Sequence, residues 1–158
     1  MKKRTALLAV IFLLLAAAIA LYVIGGTLSA QVQVITAPAR DYPDAYKSIV
    51  NVIESGSAPA YFAQAPLDDI NKYTLMDVTI HLSNPGFFPA EWLEVKPYGA
   101  SGDIAVYSLT GTGSTIAPRS DGQANLKLIT SGNVNAPRSC TVEYYVLGMK
   151  RSVTVPVE

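Results

Sequence analysis

The chain has 158 residues, half of them hydrophobic and 15% charged, with twelve basic and twelve acidic side chains. That charged share is low against the roughly 25% of ordinary soluble proteins. With Lys2, Lys3 and Arg4 set aside, nine basic side chains remain against twelve acidic ones, which leaves no electrostatic footprint for nucleic acid and none for long-range steering onto anionic lipid.

The first element follows the basic stub 1–4. No charge occurs between Arg4 and Arg40, and the strongly apolar part, Ala6 to Ile24, is 19 residues long. As a helix it reaches about 28 Å, close to the roughly 30 Å of a hydrocarbon core. A secretory signal has a shorter apolar region, about 7–15 residues. The length predicts an uncleaved signal-anchor over 5–26. The basic cluster before it places the rest of the chain outside the cytoplasmic membrane as a single-pass protein. The rival is a cleavable signal, with Thr27 and Ser29 among the small residues at cleavage positions, and a secreted product.

Residues 27–42 read as a tether in which Gln31–Thr36 alternates weakly enough for a short strand. The exported domain spans 43–158. It begins with a helix over Pro43–Ser55: Pro43 suits the first helical position, and Gly56 suits the C-terminal cap. Ala45, Tyr46, Ile49, Val50 and Ile53 recur at helical spacing. This stripe has too few cations for a membrane-surface helix and is expected to pack on the sheets.

Beyond Tyr61 the period changes from 3.6 to 2. Val78, Ile80 and Leu82 share one face of a strand, with Asp77, Thr79, His81 and Ser83 on the other. Asp103–Thr110 and GSTIAP make two more strands. Leu126, Leu128 and Thr130 oppose Asn125, Lys127 and Ile129. SCTVEYYVL and MKRSVTVPV form a hairpin through Gly148. With a strand around Trp92 the total is about seven, separated by Gly, Pro, Asn and Ser clusters, the pattern of a mainly β protein built as an antiparallel β-sandwich.

The stretches VTIHLSNPGFFPAEWLEV, STIAPRSDGQANLKLIT and CTVEYYVLGMKRSVTVPV resemble bacterial immunoglobulin-like domains of the cell-adhesion-related and fibronectin-type kind, over about Tyr73–Glu158. The Asn-Pro turn is also similar to that of water-stress and late-embryogenesis sandwich domains. Where the family usually has glycine after Pro118, this chain has Arg119. The resemblance implies the immunoglobulin-like fold and carries over no ligand residue.

SNPGFFPAEWLEV poses the sharpest functional question, because Glu91 and Glu94 are three residues apart among aromatics. Strand alternation puts them on opposite sides, which argues against a catalytic pair. If Leu93 and Val95 face the core, Trp92 faces out; a bulge would turn it inward like a core tryptophan. The candidate partner surface is Phe87, Phe88 and Trp92 with Tyr98.

No catalytic, cofactor-binding or metal-ligating residue is assigned. His81 is the only histidine and Cys140 the only cysteine, so a multi-histidine zinc site cannot form and a triad would need His81 as its base. Cys140 alternates with Val142, Tyr144 and Val146 and is expected to be a buried thiol. LTGTGST reads as a hairpin loop, since no lysine follows its glycines. The functional expectation is a non-enzymatic binding or structural module of the bacterial cell envelope, with protein partners. The alternative is a cell-wall glycan-binding domain using Trp92 and surface tyrosines such as Tyr145.

Overall fold

The computed structural model describes the backbone of residues 2–24, 27–56, 67–108 and 113–157, and the side chains of 6–20, 27–56, 67–104 and 113–157. Its elements are two α-helices, α1 (Lys2–Ile24) and α2 (Pro43–Glu54), and eight strands. The strands are β1 (Ser29–Pro38), β2 (Thr74–Asn84), β3 (Ala90–Tyr98), β4 (Asp103–Ser108), β5 (Ser114–Ile116), β6 (Ser120–Thr130), β7 (Arg138–Val146) and β8 (Met149–Val157). They form two four-stranded antiparallel sheets, ordered β1-β2-β6-β4 and β5-β3-β7-β8.

The sheets pack face to face as the alternation requires. Met76, Val78, Ile80 and Leu82 of β2 and Leu126 and Leu128 of β6 meet Leu93 and Val95 of β3 and Cys140, Val142, Tyr144 and Val146 of β7 in one buried cluster. Fully burying such side chains stabilises by about 1.5–3 kcal/mol each.

Helix α2 covers part of the outer side of the first sheet. Tyr46 and Ile49 are buried against Tyr73, Leu75 and Ile129, with Ala45, Val50 and Ile53 packed around them. Ile129 sits on the outward side of β6, as the alternation placed it, and the helix buries it completely. Polar ties fix the helix in place: the Tyr46 hydroxyl donates to the Asp68 carbonyl at 2.9 Å, and the Tyr73 hydroxyl to Asp68 Oδ1 at 2.5 Å. Hydrogen bonds from Lys72 and Tyr73 hold the Asp68 carboxyl down at about 2.

Three expectations are corrected. The stretch 27–42 is more than a tether, because β1 pairs with β2 from Ser29↔Ser83 to Pro38↔Thr74. Its alternation is weak because it is an edge strand with half-buried Ala30, Val32 and Val34. Glu91 and Glu94 do not face opposite sides, since the pairing of β3 with β7 shifts register between them. The bulge centres on Trp92, which has φ +56, yet it leaves Trp92 62% exposed rather than turning it inward. Leu93 takes the core position. The LTGTGST loop falls in part on 109–112, outside the described residues.

The described side chains of α1, residues 6–20, are all exposed, including Leu8, Ile11, Phe12 and Leu15. Among the residues whose side chains are described, which in α1 are 6–20, no helix is long and apolar enough to cross a membrane.

Candidate docking surface

One end of the sandwich gathers most of the residues singled out in the sequence, and Asn84 builds it. This side chain is 3% exposed at the end of β2. Its Oδ1 accepts from the Gly86 amide at 3.0 Å, closing an Asx turn. Its Nδ2 donates to the Phe88, Ala117 and Ile116 carbonyls at 2.8, 3.2 and 3.3 Å. One amide therefore ties the β2–β3 corner to the β5–β6 connection. Phe88 is half-buried against the core, while Phe87 stays 52% exposed.

Arg119 occupies the place where glycine was the expectation. It has φ +52, a left-handed backbone that glycine adopts without cost. Its guanidinium lies 4.8 Å from the centroid of the Phe87 ring, a cation–π distance.

On the adjoining sheet the Trp92 bulge opens an exposed depression lined by Glu91, Trp92, Glu94, Tyr145 and Gly148. Beside it runs a charge ladder in which Glu143 Oε2 lies 2.5 Å from Lys96 Nζ and 2.8 Å from Lys150 Nζ. Lys96 Nζ is also 3.5 Å from Glu94. Hydrogen bonds from Lys150 and Lys96 hold the Glu143 carboxyl below its usual value. The β7–β8 hairpin closes this end through Leu147 and Gly148, with φ +52 and +73, the two positive values of a type I′ turn. Leu147 is 61% exposed.

The four predicted surface residues are thus divided. Phe87 and Trp92 are exposed at this end, and Phe88 is half-buried against the core. Tyr98 is exposed but lies six residues along β3 from Trp92, opposite Ser139 at the far end of the sheet. Leu147, Met149 and Arg119 were not anticipated as surface groups. The bulge shows in the buried positions of AEWLEV: Ala90, Leu93 and Val95 are spaced three and then two, a period-2 strand with one residue inserted, a pattern that apolar Trp92 obscures in the sequence.

Little here resembles a reacting centre. Glu91 and Glu94 share the outer face but line an open depression. His81 is exposed between Gln31 and Gln123 on neighbouring strands. Burial pushes the Cys140 thiol up to about 12, far from a reactive thiolate. Among the described residues no three His, Cys, Asp or Glu side chains gather as a metal site.

The opposite end is closed by a buried ion pair. Arg138 Nε and Nη2 donate to Asp103 Oδ2 and Oδ1 at 2.9 and 2.6 Å. The remaining guanidinium hydrogens reach the Val134, Ala136 and Asn133 carbonyls. The Ala100 amide donates to Asp103 Oδ2 at 2.6 Å. The pair joins β4 of one sheet to β7 of the other.

No family model and no curated protein matches the chain. Among solved structures, it is similar to the GAE domain of GGA2p from Saccharomyces cerevisiae, with 11% identity, TM-score 0.43, and coverage of 52% of this chain and 74% of that one. It is also similar to a FixG-related protein from Vibrio parahaemolyticus, with 10% identity, TM-score 0.37, and coverage of 80% and 93%.

Proposed function

We propose that the chain is a membrane-anchored module of the bacterial cell envelope, held by α1 and presenting an immunoglobulin-like domain outside the cytoplasmic membrane to protein partners. The observation that supports it most is the apolar run of the first helix. Residues 6–20 expose side chains that are apolar all round, and such a helix needs an apolar surrounding. Ala6 to Ile24 is long enough for a bilayer, and Lys2, Lys3 and Arg4 set its orientation. The immunoglobulin-like reading is supported by the strand order β1-β2-β6-β4 against β5-β3-β7-β8, which, apart from the three-residue β5, corresponds to ABED against CFG.

The test is cysteine labelling of Lys47→Cys, an exposed position on α2, in intact cells. An impermeant maleimide should label it, and the protein should stay with membranes after carbonate washing. Labelling only by a permeant reagent, or release by carbonate, would overturn the reading. Buried Cys140 contributes no background.

A glycan-binding reading has one observation in its favour, that Trp92 and Tyr145 line the same depression. It predicts binding to purified cell wall that Trp92→Ala abolishes.

A further inference from the structure

The distance between α1 and the domain core is short. The helix ends at Ile24, and Leu28 is already 2% exposed inside the sandwich. The Leu28 amide donates to Tyr144 Oη at 2.9 Å, which fixes it to the opposite sheet. Four residue steps reach at most about 14 Å. Whichever end of the sandwich holds Leu28 therefore lies within that reach of the helix end.

Strand register identifies that end. Ser29 is opposite Ser83, which is opposite Asp121, and Asn84 is opposite Ser120. In the other sheet Glu91 is opposite Tyr145, which is opposite Lys150. The Asn84 corner and the Leu147–Gly148 turn are thus at the same end as Leu28. Outside α1, eight large apolar or aromatic side chains are exposed among the described residues. Five of them, Phe87, Trp92, Tyr145, Leu147 and Met149, are here; Ile35, Tyr42 and Tyr98 are elsewhere.

Resting on the anchor reading above, we propose that this end of the sandwich seats in the interfacial layer of the bilayer that α1 crosses, with Phe87, Trp92 and Leu147 as its anchors. The polar layer on each side of the hydrocarbon is roughly 5–8 Å deep. With Ile24 at the edge of the hydrocarbon, Leu28 lies no more than about 14 Å out, and the side chains that project past it toward the helix come within reach of headgroup depth. The side chains present suit that layer. Trp92 and Tyr145 are amphipathic rings of the kind that collect there, and Arg119, beside Phe87, offers a guanidinium to phosphate. Asp121 and Glu91 at the same end oppose deeper insertion and hold the domain at the surface.

Trp92 is the only tryptophan in the chain, so the full-length protein reports on itself. It is reconstituted into phosphatidylcholine–phosphatidylglycerol vesicles with or without phosphatidylcholine brominated on its acyl chains. The control is Trp92→Phe combined with Tyr98→Trp, which moves the probe to the far end. The expected result is that both proteins float with the vesicles, that bromolipid lowers Trp92 emission about twofold, the response of a ring at the interface, and that the far-end probe is unaffected. Flotation with Trp92 unquenched, or with both probes quenched alike, overturns the proposal and leaves the anchor reading standing. Trp92 shielded from aqueous acrylamide but untouched by bromolipid also overturns it, in favour of a second copy as the cover. Failure to float overturns the anchor reading, and this proposal with it.

Discussion

Replacing Asp103 with alanine should be among the most damaging single changes in the sandwich. It removes two charge-assisted bonds from Arg138, at 2.9 and 2.6 Å, and the acceptor of the Ala100 amide. Both side chains of the pair are at most 4% exposed, so water cannot replace the carboxylate. Leaving one buried charge without its partner costs about 3–5 kcal/mol. At roughly 4 °C per kcal/mol for a domain of this size, the melting midpoint falls by about 12–20 °C. The loss has a pH signature. Burial acts to raise the Asp103 carboxyl, and the Arg138, Ala100 and Thr130 hydrogen bonds outweigh it, so its folded value is lowered. The stabilisation is then complete above the usual carboxylate value of about 3.9 and is lost as pH falls through the lowered value. Urea unfolding of the detergent-solubilised full chain, followed by tyrosine near-ultraviolet circular dichroism, measures both effects. The gap between wild type and variant should be constant above about pH 5 and narrow below about pH 4. The double variant Asp103→Leu, Arg138→Met should recover most of the loss. A loss under about 1 kcal/mol at pH 7, or a gap that does not change with pH, would refute the reasoning.

Asn84→Ala removes four hydrogen bonds at one buried amide and leaves three carbonyls and the Gly86 amide to find other partners. At about 1 kcal/mol net per bond, with partial relief by water, the expected cost is about 2–4 kcal/mol in the same unfolding assay. Leu147→Asn should stabilise the detergent-solubilised protein by about 1 kcal/mol, because asparagine accepts the φ of +52 more readily than leucine; a lower midpoint would mean that Leu147 has unrecognised packing. Cys140, completely buried with its thiol raised to about 12, should resist a thiol reagent at pH 8 in the native state and react fully in urea.

The period-2 pattern was enough to find β2, β6, β7 and β8, because each has one face in the core and one in water or under α2. Helical spacing was enough for α2, where proline, stripe and glycine agree. Periodicity failed where two residues far apart in sequence decide the outcome. Asp103 and Arg138 are 35 positions apart, and nothing local distinguishes them from surface charges. The bulge stood in the sequence only as an alternative that would turn Trp92 inward; a left-handed backbone at a tryptophan is not suggested by the residue type, and it keeps the ring outside. Once the bulge is in place, Glu91 moves to the outer face beside Glu94 and Trp92 remains outside. The corner at Asn84 was legible as turn chemistry, but its link to the Ile116 and Ala117 carbonyls was not. Leu147 in a type I′ turn contradicts the usual asparagine or glycine, so the hairpin was readable only from Gly148.

The antiparallel pairing of β1 with β2 also has a mechanical meaning. With α1 fixed in a bilayer and a load applied at the far end of the domain, tension enters β1 at Leu28 and runs along the strand. The ten paired positions from Ser29 to Pro38 then lie parallel to the pull, and their hydrogen bonds lie across it. In this geometry the bonds are loaded together in shear and must yield together. Peeling would break them one at a time, at lower force. The edge strand that seemed a tether in the sequence would then be the clamp that resists extraction of the domain from its anchor.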